Sequence, residues 1–165
     1  MNLEKALYGG AIISTILFVI LSATGNTELI ENETWDIEET CLEGTTHQSG
    51  ITHTHSSLSI FIEGNEEFIP KDIGIQDSSC PDGMRGIHTH DDTGRLHIET
   101  PNQIEAPVGA FFNIWDEVFN SGQILDNMAN SDYEIVMYVN GVVNSEFENY
   151  IMLDGDSIEI HYQQK

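Results

Sequence analysis

The stretch LSIFIEGNEEFIP, residues 58–70, predicts the kind of fold that this chain adopts. Apolar and polar residues alternate on both sides of Glu63-Gly64-Asn65, as in two antiparallel strands joined by a tight turn. Pro70 has no backbone N–H, so it ends the second strand or places that strand at the edge of a sheet. We therefore expect a β-hairpin near the start of a folded domain.

The same alternation predicts further strands at 87–90, 95–99, 134–139 and 158–162. Between 109 and 129, apolar residues recur at intervals of three and four, which predicts a helix near 109–119 and a second short helical run after Gly122. Strands, a helix and strands again indicate an α+β fold. We predict one domain over residues 51–165, with a small, mostly antiparallel sheet packed on that helix, as in a β-grasp.

An uncharged apolar segment precedes this domain. Residues 7–23 read LYGGAIISTILFVILSA, long enough to cross a hydrocarbon core about 30 Å thick. We predict a transmembrane anchor at 6–25, with a cleaved signal peptide as the alternative. Lys5 lies before the segment and nearly all acidic residues follow it. This asymmetry places residues 1–5 in the cytoplasm and the bulk of the chain outside, as a single-pass protein of the cell membrane.

Residues 26–50 are acidic and poor in apolar side chains, which predicts a linker between membrane and domain. Asn32, in the triplet Asn-Glu-Thr, is a candidate glycosylation acceptor there. The whole chain has 28 acidic and 5 basic residues and a net charge of -23. Binding to nucleic acid is excluded because phosphate contacts need clustered Lys and Arg. The charge fits a solvated surface, and it also attracts cations.

Five of the seven histidines lie in a pattern that suggests a metal site. Alternate side chains of a strand share a face, so each His-x-His pair presents two imidazoles about 6 to 7 Å apart. That spacing suits two ligands on one ion. We expect His53, His55, His88 and His90 to converge on one divalent metal, with Asp91 as a further ligand or orienting group.

His97 is a candidate for completing that site, and the turn before it decides its position. If Thr93-Gly94 form a two-residue turn, His97 lies opposite His90. If residues 92–94 form a three-residue loop, His97 faces Thr89 instead. Both turns suit these residues, so the sequence leaves the register open.

Imidazole ligands with a carboxylate suit Zn, Cu(II), Fe or Ni, and outside the cytoplasm Cu(II) and Zn are the natural candidates. His47 in the linker and His161 on the last strand are expected to be ordinary polar residues. Cys41 and Cys80 are the only cysteines, and we predict a disulfide between them.

An alternative makes Cys80 a metal ligand. Cys80, Met84 and His88 have the spacing of a soft copper loop, and blue-copper sites combine Cys, His and a weak Met. The usual chain order in such sites is Cys, His, Met, whereas here Met stands between the other two. The second cysteine also offers Cys80 a partner. The disulfide is therefore the preferred interpretation.

Several runs of this sequence form a wider pattern: HTHSSLSIFIEG at 53–64, IPKDIGI at 69–75, Cys80, HTHDDTGRLHIETP at 88–101 and FFNIW at 111–115. The pattern covers most of residues 35–162. It resembles a group of uncharacterised membrane-anchored proteins of ammonia-oxidising archaea and some bacteria. The resemblance carries no activity, but it implies an acidic, copper-dependent cell surface. It therefore favours copper and an uncleaved anchor.

Three classes of function follow from these patterns. The first is a membrane-anchored, extracytoplasmic metal-binding protein for delivery or storage of copper or zinc. The second is a β-grasp-like interaction module, such as an accessory subunit of a membrane complex. The third is an extracytoplasmic metalloenzyme. It is the least favoured, because no general base stands out beyond Asp91 or Glu99 and no known hydrolase or oxidase motif is present.

Overall fold

The predicted strands are found in the structure, together with several short ones. A computed structural model describes residues 35–44 and 52–165 of the chain. Within these ranges the strands are β1 Cys41–Glu43, β2 Thr52–Ile62, β3 Asn65–Glu66, β4 Gly83–Arg85, β5 Ile87–His88, β6 Arg95–Thr100, β7 Phe119–Asn120, β8 Gln123–Ile124, β9 Asn127–Met128, β10 Tyr133–Val139, β11 Val142–Asn144 and β12 Ser157–Gln164. The α-helix is α1, Val108–Trp115, and short 3-10 turns lie at Asp36–Glu39 and Phe147–Asn149.

The main sheet is organised around β2 and β12, which lie side by side and parallel at its centre. The order across the sheet is β11-β10-β12-β2-β6-β5, and the other pairings along it are antiparallel. Alternation gives the sheet two different faces: on β12, Ile158, Ile160 and Tyr162 are buried, whereas the residues between them are partly exposed. The predicted α+β class with a mostly antiparallel sheet is confirmed.

Helix α1 and the apolar face of the sheet share one core. Phe111 and Phe112 are almost completely buried, and they belong to the same cluster as the inward residues of β2, β6, β10 and β12. The helix follows Pro107, whose backbone is extended, and it ends where Asp116 adopts a left-handed conformation with φ 63°. The helix predicted near 109–119 is therefore present, but it stops at Trp115.

The second helical run predicted after Gly122 is wrong. Residues 119–128 form a three-stranded meander in which β7 pairs with β8 and β8 with β9. Asn120 starts the first turn, where its side chain accepts a hydrogen bond from the N–H of Gly122 at 2.8 Å. Leu125 has a left-handed backbone in the second turn, with φ 49°. Local turn chemistry therefore outweighs the apolar spacing in this segment.

The hairpin at 58–70 forms with a two-residue turn. Glu63 and Gly64 have φ values of 51° and 80°, and Ile62 pairs directly with Asn65. Positive φ angles at both central residues are typical of a type I′ turn, whose backbone matches the twist of the two strands. The returning strand, β3, ends at Glu66 and is much shorter than the alternation predicts.

The second predicted hairpin has a register that neither proposed turn gives. His88 pairs with His97, and Ile87 with Ile98, so the chain reverses through the wider loop 89–94. Gly94 fits this loop because its φ is 73° and because a Cβ there would lie 2.1 Å from the carbonyl oxygen of Leu58. The loop is thus held against the neighbouring strand β2, and both narrower turns are excluded.

Residues 35–44 belong to the same compact unit as the sheet, which spans Thr34–Lys165. Trp35 packs against the core and Leu42 is buried. β1 pairs with β4, and Cys41 forms a disulfide with Cys80 across a Cα–Cα distance of 5.7 Å. The predicted disulfide is confirmed.

The predicted anchor at 6–25, most of the linker at 26–50 and the acceptor Asn32 lie outside the described residues. None of the helices in the described ranges has the length and apolarity of a membrane span.

Candidate metal centre

Three neighbouring strands bring the histidine pairs together on the polar face of the sheet. β6 lies between β2 and β5. His97 on β6 pairs on one side with His55 and on the other with His88, so three imidazoles form a row across the sheet. Residues two positions apart on a strand share a face, which adds His53 to the β2 side. His90, two residues beyond His88, contacts His97 from the loop.

The first group of ligand atoms belongs to His53, His55 and His97, and these atoms all lie within 4.8 Å of one another. Nε2 of His53 is 3.3 Å from Nδ1 of His97. Two nitrogens on a tetrahedral metal, each bonded at about 2.0–2.1 Å, are themselves about 3.3 Å apart. The spacing of this pair therefore already matches that of two ligands on one ion.

The second group belongs to His88, His90 and His97, again with all ligand atoms within 4.8 Å. Nδ1 of His88 is 3.0 Å from the carbonyl oxygen of Arg85. A carbonyl only accepts hydrogen bonds, so Nδ1 carries a proton, and in the neutral ring Nε2 is the nitrogen with the free lone pair. In many metal-binding histidines, the ring nitrogen that does not bind the metal makes a hydrogen bond of this kind, which orients the imidazole.

Arg85 is itself held in place, which fixes the carbonyl that orients His88. Its Nε donates to the Asp77 carboxylate at 2.7 Å, and Nη1 donates to the backbone carbonyl of Glu38. β4, which contains Arg85, is also paired with β1 close to the disulfide. The N-terminal part of the domain thus supports one side of the candidate site.

Glu99 is part of the site, although the His-x-His pattern does not predict it as a ligand. Its side chain is completely buried, and Oε1 lies 3.2 Å from Nε2 of His53 and 4.0 Å from Nε2 of His88. It therefore contacts one histidine from each group. The signal was available, because Glu99 follows His97 by two residues and so shares its face of β6.

Asp91 is exposed and is not brought into either group. Its Oδ1 accepts hydrogen bonds from the hydroxyl and the N–H of Thr93. These two bonds, the hydroxyl first, hold the pKa of the Asp91 carboxyl below its ordinary value. In this structure Asp91 shapes the loop that joins β5 to β6.

Two further residues, His161 and Cys80, are not part of the cluster. His161 stacks on Phe61 with ring centroids 4.7 Å apart, and its Nε2 is 3.2 Å from the Glu159 carboxylate. His47 lies outside the described residues. Cys80 is bonded to Cys41, which removes the thiolate that the blue-copper alternative requires.

The described residues thus form a site of five imidazoles and one buried carboxylate. Nitrogen ligands with one oxygen suit Zn, Cu(II), Fe or Ni, so these histidine groups are able to hold a divalent transition-metal ion. Comparison of the chain with protein-family models, with curated proteins and with solved structures finds no match. The resemblance to the archaeal membrane-anchored group remains a prediction.

Proposed function

We propose that this protein is a membrane-anchored, extracytoplasmic metal-binding protein that takes up Cu(II) or Zn for delivery or storage. The observation that carries the proposal is the presence of two groups of three histidines, each with its ligand atoms within 4.8 Å. Ordinary polar residues on an exposed strand do not bring five imidazoles together. The buried Glu99 carboxylate adds a negative charge that favours a cation at the same place.

The location outside the cytoplasm is supported by the chemistry of the domain. Disulfides persist in oxidising compartments and are rare in the cytosol, and the domain has a disulfide between Cys41 and Cys80. The apolar segment at 6–25 supports the anchor. The net charge of -23 attracts cations to the chain as a whole.

We also propose that the domain has a β-grasp-like fold. It is supported by the parallel pair β2 and β12 at the centre of the sheet, with a returning strand on each outer side. It is also supported by the position of α1, whose apolar residues share the core with the sheet. Folds serve many functions, so the metal proposal rests on the site and not on this likeness.

The test is a calorimetric titration of Cu(II) and Zn into the full-length protein, purified with a tag that lacks histidine. We expect saturable binding at about pH 7.5 and much weaker binding at about pH 5.5, because an imidazole must be neutral to bind a metal. His97→Ala removes the residue common to both groups and is expected to lower the affinity at least about 100-fold, since it takes a ligand from each group.

His161→Ala is the matched control, because it removes an imidazole from the polar face of the same sheet at a distance from the cluster. It is expected to bind metal as the wild type does. Circular dichroism establishes that both variants are folded. Equal affinities for the two variants, or no saturable binding by the wild type, would contradict the proposal and favour the interaction module.

A further inference from the structure

We propose that the cluster holds two metal ions, one on each side of His97, with the His97 ring as a bridge between them. This inference rests on the proposed metal-binding function and specifies how the site is occupied. The ions are of the class that nitrogen ligands favour, Cu(II) or Zn. His53 and His55 bind the first ion, and His88 and His90 bind the second.

The topology of the sheet separates the terminal ligands from the shared one. His53 and His55 come from β2, whereas His88 and His90 come from β5 and the loop that follows it. His97 comes from β6, the strand between them, and is paired with a histidine on each side. The described residues accordingly form two groups of three with His97 in common, not one group of five.

The ring geometry on both sides of His97 fits metal coordination. A metal about 2.0–2.1 Å from each ligand nitrogen places two ligand rings with their centroids about 5 Å apart. On the β2 side, the His97 ring is 5.5 Å from that of His53 and 4.5 Å from that of His55. On the β5 side, it is 5.4 Å from His88 and 4.7 Å from His90.

The two nitrogens of His97 give each ion one bond to the ring. Nδ1 of His97 is directed at the β2 side, 3.3 Å from Nε2 of His53. We assign the other nitrogen, Nε2, to the ion on the β5 side. Binding of the second ion displaces the remaining ring proton of His97 to solvent and leaves a bridging imidazolate. No electron is transferred in this step.

The negative charge of Glu99 offsets the repulsion between two cations held close together. Two divalent ions repel each other, and burying their charge is costly unless anions compensate it. The Glu99 carboxylate lies 3.2 Å from Nε2 of His53 and 4.0 Å from Nε2 of His88, so it is close to a ligand of each ion. Together with the His97 imidazolate, it supplies two negative charges within the cluster.

The test uses the full-length protein with a histidine-free tag, loaded with excess Cu(II) and desalted. Elemental analysis is expected to give two copper ions per chain. Electron paramagnetic resonance is expected to show a normal Cu(II) signal at one equivalent and loss of that signal at two, because an imidazolate couples the two spins. His53→Ala and His90→Ala each remove a terminal ligand from one side only. Each is expected to retain one copper with an uncoupled signal.

The outcomes separate this inference from the proposed function. One copper per chain in the wild type, or two copper ions with uncoupled signals, overturns the bridged pair and leaves the metal-binding function standing. No copper in the wild type overturns the bridged pair, and it overturns the metal-binding function as well if the calorimetric titration also finds no saturable binding of Zn. His161→Ala is the control and is expected to retain two coupled ions. If a cluster variant does not fold, the stoichiometry and spin coupling of the wild type still decide the question.

Discussion

Asp156 lies in the turn before the last strand and accepts three hydrogen bonds from different parts of the chain. They come from the hydroxyl of Tyr150 at 2.8 Å, the N–H of Leu153 at 2.8 Å and the side-chain amide of Asn140 at 2.9 Å. The residue is only 5% exposed. A buried carboxylate bonded in this way joins the β10–β11 turn to the start of β12.

This contact makes the ionisation of Tyr150 a measurable property of the fold. Partial burial first, and then the hydrogen bond and the charge of Asp156, raise the pKa of Tyr150 to about 12. Because folding raises this pKa, the contribution of Tyr150 to the free energy of unfolding is fully present below the pKa of tyrosine in the unfolded chain, near 10. It is lost as the pH rises from there through the folded value.

We therefore expect an ultraviolet titration of the folded protein to contain one tyrosine that ionises near pH 12. Asp156→Asn removes the negative charge and is expected to move that transition down toward the ordinary pKa. Tyr150→Phe is the control, and it should eliminate the transition. A Tyr150 that ionises at the ordinary pKa in the wild type would refute the assignment.

At the same scale, the sequence predicted most of the candidate site. The second predicted hairpin offered His97 as one of the five histidines that the structure brings together. The His-x-His alternation identified the other four, because strand alternation is a local property. It did not identify Glu99, since a single acidic residue in an acidic chain is normally on the surface. The sequence predicted one site, whereas the structure has two groups of three histidines. The difference depends on the β5–β6 register, in which His88 pairs with His97. Neither of the two narrow turns predicted from the sequence gives that register.

Among the elements, the Cys41–Cys80 link has the clearest energetic consequence. It joins residues 39 positions apart, and closing a loop of that length contributes up to about 4 kcal/mol on the chain-entropy model. We expect the variant with both Cys41→Ser and Cys80→Ser to lose free energy of unfolding by up to that amount in urea denaturation. A reducing agent should lower the stability of the wild type similarly.

The double variant provides the control, because reducing agent should not change its stability further. Unchanged stability in both comparisons would mean that the link adds nothing to folding. Intact mass under denaturing, non-reducing conditions, about two mass units below the reduced form, verifies that the link is present.

The failed helix prediction after Gly122 also belongs to the scale of elements. β7, β8 and β9 begin at 119, 123 and 127, so strands of two residues and turns of two residues repeat every four positions. A repeat of four is close to the 3.6-residue period of a helix, and apolar spacing alone does not distinguish them. The turn residues Asn120, Gly122 and Asp126 carried the correct signal.

For the molecule as a whole, the testable expectation is attachment to a membrane. Residues 7–23 are uncharged and apolar, so we expect the full-length protein to sediment with membranes and to resist extraction by carbonate or high salt. Leu17→Arg places a charge near the middle of the segment, where it costs about 2.5–3.5 kcal/mol, and should increase the soluble fraction. Leu17→Ala is the matched control and should remain bound.

Recovery of a soluble protein that begins near Asn26 would instead identify a cleaved signal peptide. At this scale the sequence predicted the α+β class, because the order of strands and helix is visible in its periodicity. It did not predict which strands lie at the centre of the sheet. Parallel pairing between β2 and β12 leaves no turn motif between them, so no local signal records it.

That central pair has a consequence for how the protein is made. Ser57 pairs with Ser157, so the middle of the sheet joins segments about 100 residues apart. Contacts between residues so far apart in sequence form only after the entropy cost of closing a long loop has been overcome. Domains dominated by such contacts fold in roughly milliseconds to seconds. β2 therefore has no central partner until the chain has been synthesised through β12, about 100 residues further along.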